Sequence, residues 1–100
     1  MPFERILPRS FNPSSVRNFA PAASGVYGLS NSREWIYIGE SDNIQAALFE
    51  HLSNPDSELM RRGPKGFVLE SCDRTTRLAR QERLIAEYRP LHNQRIREDL

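Results

Sequence analysis

Cysteine is almost absent from this 100-residue chain, where Cys72 stands alone. A single thiol excludes an internal disulfide and any thiolate cluster able to hold zinc or iron–sulfur. With nothing in the sequence to activate it, Cys72 reads as a half-buried residue at a strand end and not as a nucleophile. Long apolar runs are lacking too, so no segment suits a bilayer span and no membrane role is expected. Met1-Pro2-Phe3-Glu4-Arg5 sets a charge pair where an export signal needs its apolar region, which makes cytoplasmic residence the expectation. Low-complexity repeats are missing, and the length provides one modest core with no room for a second catalytic domain. Nor does one charge dominate, since 14 basic against 13 acidic side chains leave a net +1.

That balance conceals a division. Residues 1–59 carry four basic and seven acidic side chains, whereas residues 60–97 carry ten basic and four acidic. The second stretch, with Arg61, Arg62, Lys65, Arg74, Arg77, Arg80 and Arg83, offers either a footprint for a polyanion or simply a solvated helix face.

Residues 1–23 hold Pro2, Pro8, Pro13 and Pro21 and read as an irregular lead-in, with a short helix over residues 14–19. Residues 24–29 and 35–39 are β-branched and aromatic runs joined by a short polar loop, which predicts an antiparallel hairpin. Period-two alternation puts Tyr37 and Gly39 on the face opposite Ile36 and Ile38. Asp42 followed by Gln45 suggests a capping box opening a helix striped by Ile44, Leu48 and Leu52, which should end near Ser53-Asn54-Pro55. Residues 61–66 read as a loop. A third strand is expected over residues 67–72, then a long helix from 73 or 75 to 89 that Pro90 closes, then a fraying tail over 91–100. Together these describe a small α/β (α+β) domain.

Within this plan one carboxylate looks misplaced. At 100° per residue, Glu82 lies about 40° from Leu78 and about 60° from Ile85, inside the stripe expected to face the protein. A carboxylate removed from water needs a cation, hydrogen bonds or a metal ion, so Glu82 reads as an arginine partner, a partly exposed helix edge, or a single ligand of the kind that Mg²⁺ takes. On the preceding helix, Ala47 and His51 stand one turn apart and both look inward, with His51 near a helix C-terminus that favours its charged form. Tyr27 and Tyr37 lie on neighbouring strands and can share a face. Two phenols, an imidazole and a carboxylate converging on a shallow surface would suit the positioning of a phosphate, a water and a metal ion.

The order Gly25-Val26-Tyr27, Tyr37-Ile38-Gly39, Asp42-Asn43-Ile44, His51, then Ala79-Arg80-Gln81-Glu82-Arg83-Leu84-Ile85 and Pro90-Leu91-His92-Asn93 resembles the GIY-YIG endonuclease domain over about residues 24–93. The resemblance implies a three-stranded antiparallel sheet flanked by helices and metal-dependent cleavage of DNA phosphodiesters. It implies that Tyr27 activates the attacking water, that Tyr37 positions water and phosphate, that His51 assists at the scissile phosphate, and that Glu82 holds Mg²⁺ or Mn²⁺. Gly25, Gly39 and Asn93 would be structural, while Arg33, Arg61, Arg62, Lys65 and Arg77 would meet the nucleic acid. The sequence departs from the family at Ala47, where a catalytic arginine is expected, and the loss of such a contact typically costs ~10²–10³ in rate. Three readings stay open: an endonuclease, a nucleic-acid-binding module that does not cut, and a protein-interaction domain. A small nuclease cutting both strands would gain from forming a homodimer.

Overall fold

The computed structural model describes Phe3 and residues 7–93, in the order β1 (Arg9–Ser10), α1 (Pro13–Phe19), β2 (Gly25–Ser30), β3 (Trp35–Ser41), α2 (Ile44–Leu52), α3 (Glu58–Arg61), β4 (Gly66–Ser71) and α4 (Arg77–Tyr88). The strands form one antiparallel sheet in the order β1-β4-β2-β3. The hairpin and the third strand stand where the sequence predicts them, and the two-residue β1 is an addition. β2 is central and buried along its whole length, because both of its edges are paired and both of its faces are covered.

Alternation along the strands sorts the core into two layers. Tyr27, Leu29 and Phe67 meet Val16 of α1 and Ile44 and Leu48 of α2 on one face. Val26, Ile38 and Val68 meet Leu84 and Ile85 of α4, together with Phe3, on the other. Residues 9–20 are therefore packed and not an irregular lead-in. Asn12 caps α1 by accepting the Ser15 N–H at 2.8 Å, Pro13 occupies the first turn, and Val16 is fully buried. Prolines at residues 8 and 13 flank β1 and the start of α1, so they bound these elements without interrupting them.

The capping residue of α2 is Asn43, which accepts the Ala46 N–H at 2.9 Å, and not Asp42. Asp42 is drawn instead to Arg77, and Gln45 donates to the Ala20 carbonyl at 3.1 Å, tying α2 to the end of α1. The short α3 escapes the sequence reading because its only strong signal is the Ser57 cap. α4 starts later than residue 73 or 75, since the Asp73 carboxylate accepts the Thr75 N–H in a side-chain turn that competes with helix. Its end is as predicted, with Arg89 left-handed at φ 50° before Pro90. Residues 91–93 are helical, and Asn93 is only 6% exposed, so the tail does not fray there; its remainder, 94–100, lies outside the described residues. Cys72 follows β4 half-buried, and burial raises its thiol pKa, in keeping with an inert strand-end residue. No helix among the described residues is long and apolar enough to cross a membrane.

Candidate active site

The face of the sheet beneath α2 gathers the rings. Tyr27 on β2 is paired with Gly39, and Tyr37 on β3 is paired with Leu29, so the two phenols are diagonal neighbours on one surface with centroids 6.1 Å apart. His51, in the last turn of α2, completes a triangle at 5.8 Å from Tyr27 and 5.7 Å from Tyr37. The Tyr27 hydroxyl and His51 Nε2 are hydrogen-bonded at 2.9 Å.

Two glycines make this surface possible. A Cβ on Gly39 would stand 2.5 Å from the Tyr27 Cζ and hydroxyl oxygen and 2.8 Å from Tyr37 Cε2, so the bare backbone there is the floor on which both phenols lie. A Cβ on Gly25 would run into the Glu70 carbonyl and stand 2.7 Å from Ile44 Cδ1, so that glycine lets α2 approach the sheet. The spacing of the two tripeptides thus encodes a close approach of side chain to backbone.

Burial sets the charge states. It pushes both tyrosine pKa values up, with Tyr37 and Glu50 adding to the effect at Tyr27 and Glu40 adding to it at Tyr37. It pushes the His51 pKa down, against the opposing pull of Glu50, so the charged imidazole expected from the helix end is corrected to a neutral one. The resting pair is a protonated phenol beside a neutral imidazole, and an imidazole protonated on Nδ1 accepts the Tyr27 hydroxyl at Nε2.

Ala47 is half-buried and packs against the same cluster, one turn before His51. Among the described residues, none of the cations named from the sequence has a hydrogen bond or cation–π contact with these rings. Arg33, Arg61 and Lys65 are exposed; the Arg33 N–H donates to Asn31 Oδ1 at 2.8 Å in the hairpin turn, and Arg62 stands 3.9 Å from Glu58. Arg77, read from the sequence as a nucleic-acid contact, is an intramolecular clamp in the fold. Its guanidinium donates to Glu40 and to Asp42, each at 2.5 Å, and to Ser24 Oγ at 3.1 Å, and its side chain is only 16% exposed. Arg80 is likewise committed to Glu70, at 2.6 Å and 2.9 Å. The basic stretch supplies fewer free charges than its composition implies, because α4 uses Arg77 and Arg80 to fasten itself to the sheet.

Glu82 is exposed, which corrects the inward orientation read from Leu78 and Ile85. Leu78 is itself 58% exposed and misled the periodicity; the face of α4 turned to the sheet runs through Gln81, Leu84, Ile85 and Tyr88. Among the described residues Glu82 makes no hydrogen bond or ion pair, and no group of three His, Cys, Asp or Glu side chains is placed to cage a metal ion. A lone accessible carboxylate still fits Mg²⁺, which keeps several waters and takes one or two carboxylates plus substrate phosphate.

The outer edge of β3 ties these pieces together. Asn93 accepts the Ile38 N–H at 2.7 Å and donates to the Ile38 carbonyl at 3.0 Å, and Gln81 donates to the same carbonyl at 3.1 Å. Asn93 therefore occupies the place of a missing neighbouring strand, between Tyr37 and Gly39. Asn93→Ala leaves a buried N–H without that acceptor and should cost about 2–3 kcal/mol, measured by urea denaturation. The residue before it was missed by sequence reasoning: His92 lies edge-on to Tyr37, at 5.5 Å between centroids and 75° between planes. Its adjacency to Asn93 in Pro90-Leu91-His92-Asn93 was the available signal.

No family model matches the chain. Excinuclease Cho of Salmonella typhi is 34% identical to it over 91 residues, and excinuclease Cho of Escherichia coli (strain K12) is 34% identical over 92. Each match takes in 85% of this chain but 31% of the relative, so the chain spans about a third of the length of the curated relatives it matches. Among solved structures, the magnesium-bound GIY-YIG N-terminal endonuclease domain of UvrC from Thermotoga maritima is 26% identical with a TM-score of 0.65, covering 77% of this chain and 93% of that one. The tripeptides, the glycine floor under two phenols and the asparagine on the sheet edge agree with likenesses in both sequence and fold, and the chain belongs to the GIY-YIG endonuclease domain superfamily.

Proposed function

We propose that this domain hydrolyses phosphodiesters in DNA with one divalent metal ion, Mg²⁺ or Mn²⁺. The observation that carries this reading is the hydrogen bond between the Tyr27 hydroxyl and His51 Nε2 on a surface shared with Tyr37. A phenol whose pKa is raised by burial is a poor base alone, since its phenolate is inaccessible near neutrality. Coupled to a neutral imidazole it need never become a phenolate. As water attacks phosphorus, its proton moves to the Tyr27 oxygen while the tyrosine's own proton passes to His51 Nε2. One phosphorus–oxygen bond forms, the bond to the leaving oxygen breaks, and that oxygen takes a proton from solvent. Tyr37 orients the water and the phosphate. Glu82 would hold the ion, which supplies neutralisation of charge on the phosphate and the leaving oxygen.

The test is cleavage of labelled branched and linear DNA in Mg²⁺. Tyr27→Phe, which keeps the ring and removes the proton relay, should lower the rate by about 10²-fold or more. One observation favours a second reading, a module that binds nucleic acid without cutting: Ala47 leaves the phosphate without its arginine. Salt-dependent binding with no cleavage by the wild type or by Ala47→Arg would select that reading, and the absence of both activities would leave a protein-interaction domain. A homodimer in the cytoplasm would place two such sites on opposite strands, and sedimentation on DNA checks the stoichiometry.

A further inference from the structure

We infer that His92 is a phosphate-contacting residue which brings to the site the positive charge that Ala47 does not supply. The inference rests on the phosphodiester-site reading above and names how that site is completed in this chain.

Three observations lead to it. First, Tyr37 is flanked by two imidazoles, His51 at 5.7 Å from α2 and His92 at 5.5 Å from the segment beyond α4, both edge-on at 73° and 75°. The phenol read as the phosphate-positioning group therefore stands between two imidazoles, one of which, His51, is committed to the Tyr27 hydroxyl. Second, His92 is held in place by its neighbour. Asn93 grips both backbone polar groups of Ile38, the residue following Tyr37, so the imidazole and the phenol are carried by adjoining, hydrogen-bonded backbone. Third, among the described residues no arginine or lysine has a hydrogen bond or cation–π contact with Tyr27, Tyr37 or His51, and on α4 Arg77 and Arg80 are committed to carboxylates. His92 is half-buried against Tyr37, which, like Ala47, packs on the core beneath α2.

The groups acting on the two imidazoles are already in place. Glu50 on α2 favours protonation at His51, while His92 opposes it, which marks the two rings as electrostatic neighbours. Glu40 acts on Tyr37 from β3, with Arg77 paired to it, and Tyr27 and Tyr37 contribute neutral phenols. An arriving phosphodiester adds the negative charge that favours protonating His92, so proton uptake and phosphate binding should be linked.

The measurement is the affinity of the protein for a short fluorescein-labelled DNA in EDTA, at fixed ionic strength, by anisotropy between pH 8 and pH 5.5. The wild type should bind about tenfold more tightly at the acid end, the scale of one charge-assisted hydrogen bond to phosphate. His92→Phe, which keeps an aromatic ring against Tyr37, should lose most of the gain on acidification. His92→Gln should behave alike, separating charge from packing. Ala47→Arg should bind more tightly at pH 8 and show a flatter profile. A His92→Phe protein with the wild-type pH profile overturns the inference even if the wild type cuts DNA. Failure of every variant to cut in Mg²⁺ overturns the nuclease reading and leaves the proton linkage standing. A protein that binds no DNA at any pH overturns both.

Discussion

Glu82→Ala should reduce metal-dependent DNA cleavage by at least about 10³-fold while leaving the fold as stable as before. The size follows from the role assigned to it: a divalent ion on the scissile phosphate is worth several kcal/mol of transition-state stabilisation, and a site with one protein carboxylate has no second ligand to retain the ion. The stability half follows from exposure. Glu82 lies on the flank of α4 and makes no hydrogen bond or ion pair with a described residue, so its removal should shift unfolding by no more than about 0.5 kcal/mol. A loss of cleavage with an unchanged melting curve therefore reports on chemistry alone. Mn²⁺ binding, followed by electron paramagnetic resonance, supplies a readout independent of turnover and should vanish in the same variant. Retention of both cleavage and Mn²⁺ binding would remove Glu82 from the site.

Ala47→Arg should act in the opposite direction, raising the cleavage rate by about 10²–10³-fold, the magnitude attached to a preorganised donor aimed at charge that develops on the reacting group. The geometry accommodates the change. Ala47 is half-buried, so the aliphatic stem of an arginine can lie over the core cluster that the alanine touches while its head reaches the aqueous side near His51. The gain should be greatest at pH 8, where neither imidazole carries charge, and should shrink toward pH 5.5, where His92 would already supply it. Equal acceleration at both ends would detach the arginine effect from the histidines. A rate unchanged by Ala47→Arg, in a protein that folds and binds DNA, would mean that the site works without a fixed cation at that position.

Much of this could be seen in the sequence because the site is built from strands. Tyr37 and Gly39 follow a period of two, and two short runs joined by a turn leave little choice of partner, so a shared face for the phenols could be anticipated, whereas the close approach that makes Gly39 necessary opposite Tyr27 shows only in the assembled sheet. Helical faces were less legible. A stripe of three or four residues is easily shifted by one exposed leucine, and Leu78 turned Glu82 inward on paper when the side chain points to solvent. Charge composition misled for a related reason. Counting arginines on α4 cannot reveal that Arg77 and Arg80 are spoken for by Glu40, Asp42 and Glu70, which are distant in sequence and meet them only through the sheet. His51 was placed correctly and given the wrong charge, because helix-end electrostatics is local whereas burial beneath α2 is a property of the assembled core. The short helix read over residues 14–19 stands as α1, but its packing into the core was hidden by prolines, which mark where elements begin as readily as where they break.

One peptide unit of β3 has a wider consequence. Ile38 is the point to which α4, through Gln81, and the segment beyond it, through Asn93, are both moored, and it separates the second phenol from the glycine beneath the first. The helix that carries Glu82 and the aromatic ledge thus share an anchorage, beside the ion pairs that Arg77 and Arg80 make to the sheet. Loosening that anchorage would displace Glu82 and the two phenols relative to one another before heat opens the sheet, so the proposed cleavage activity should fail at a lower temperature than the fold does.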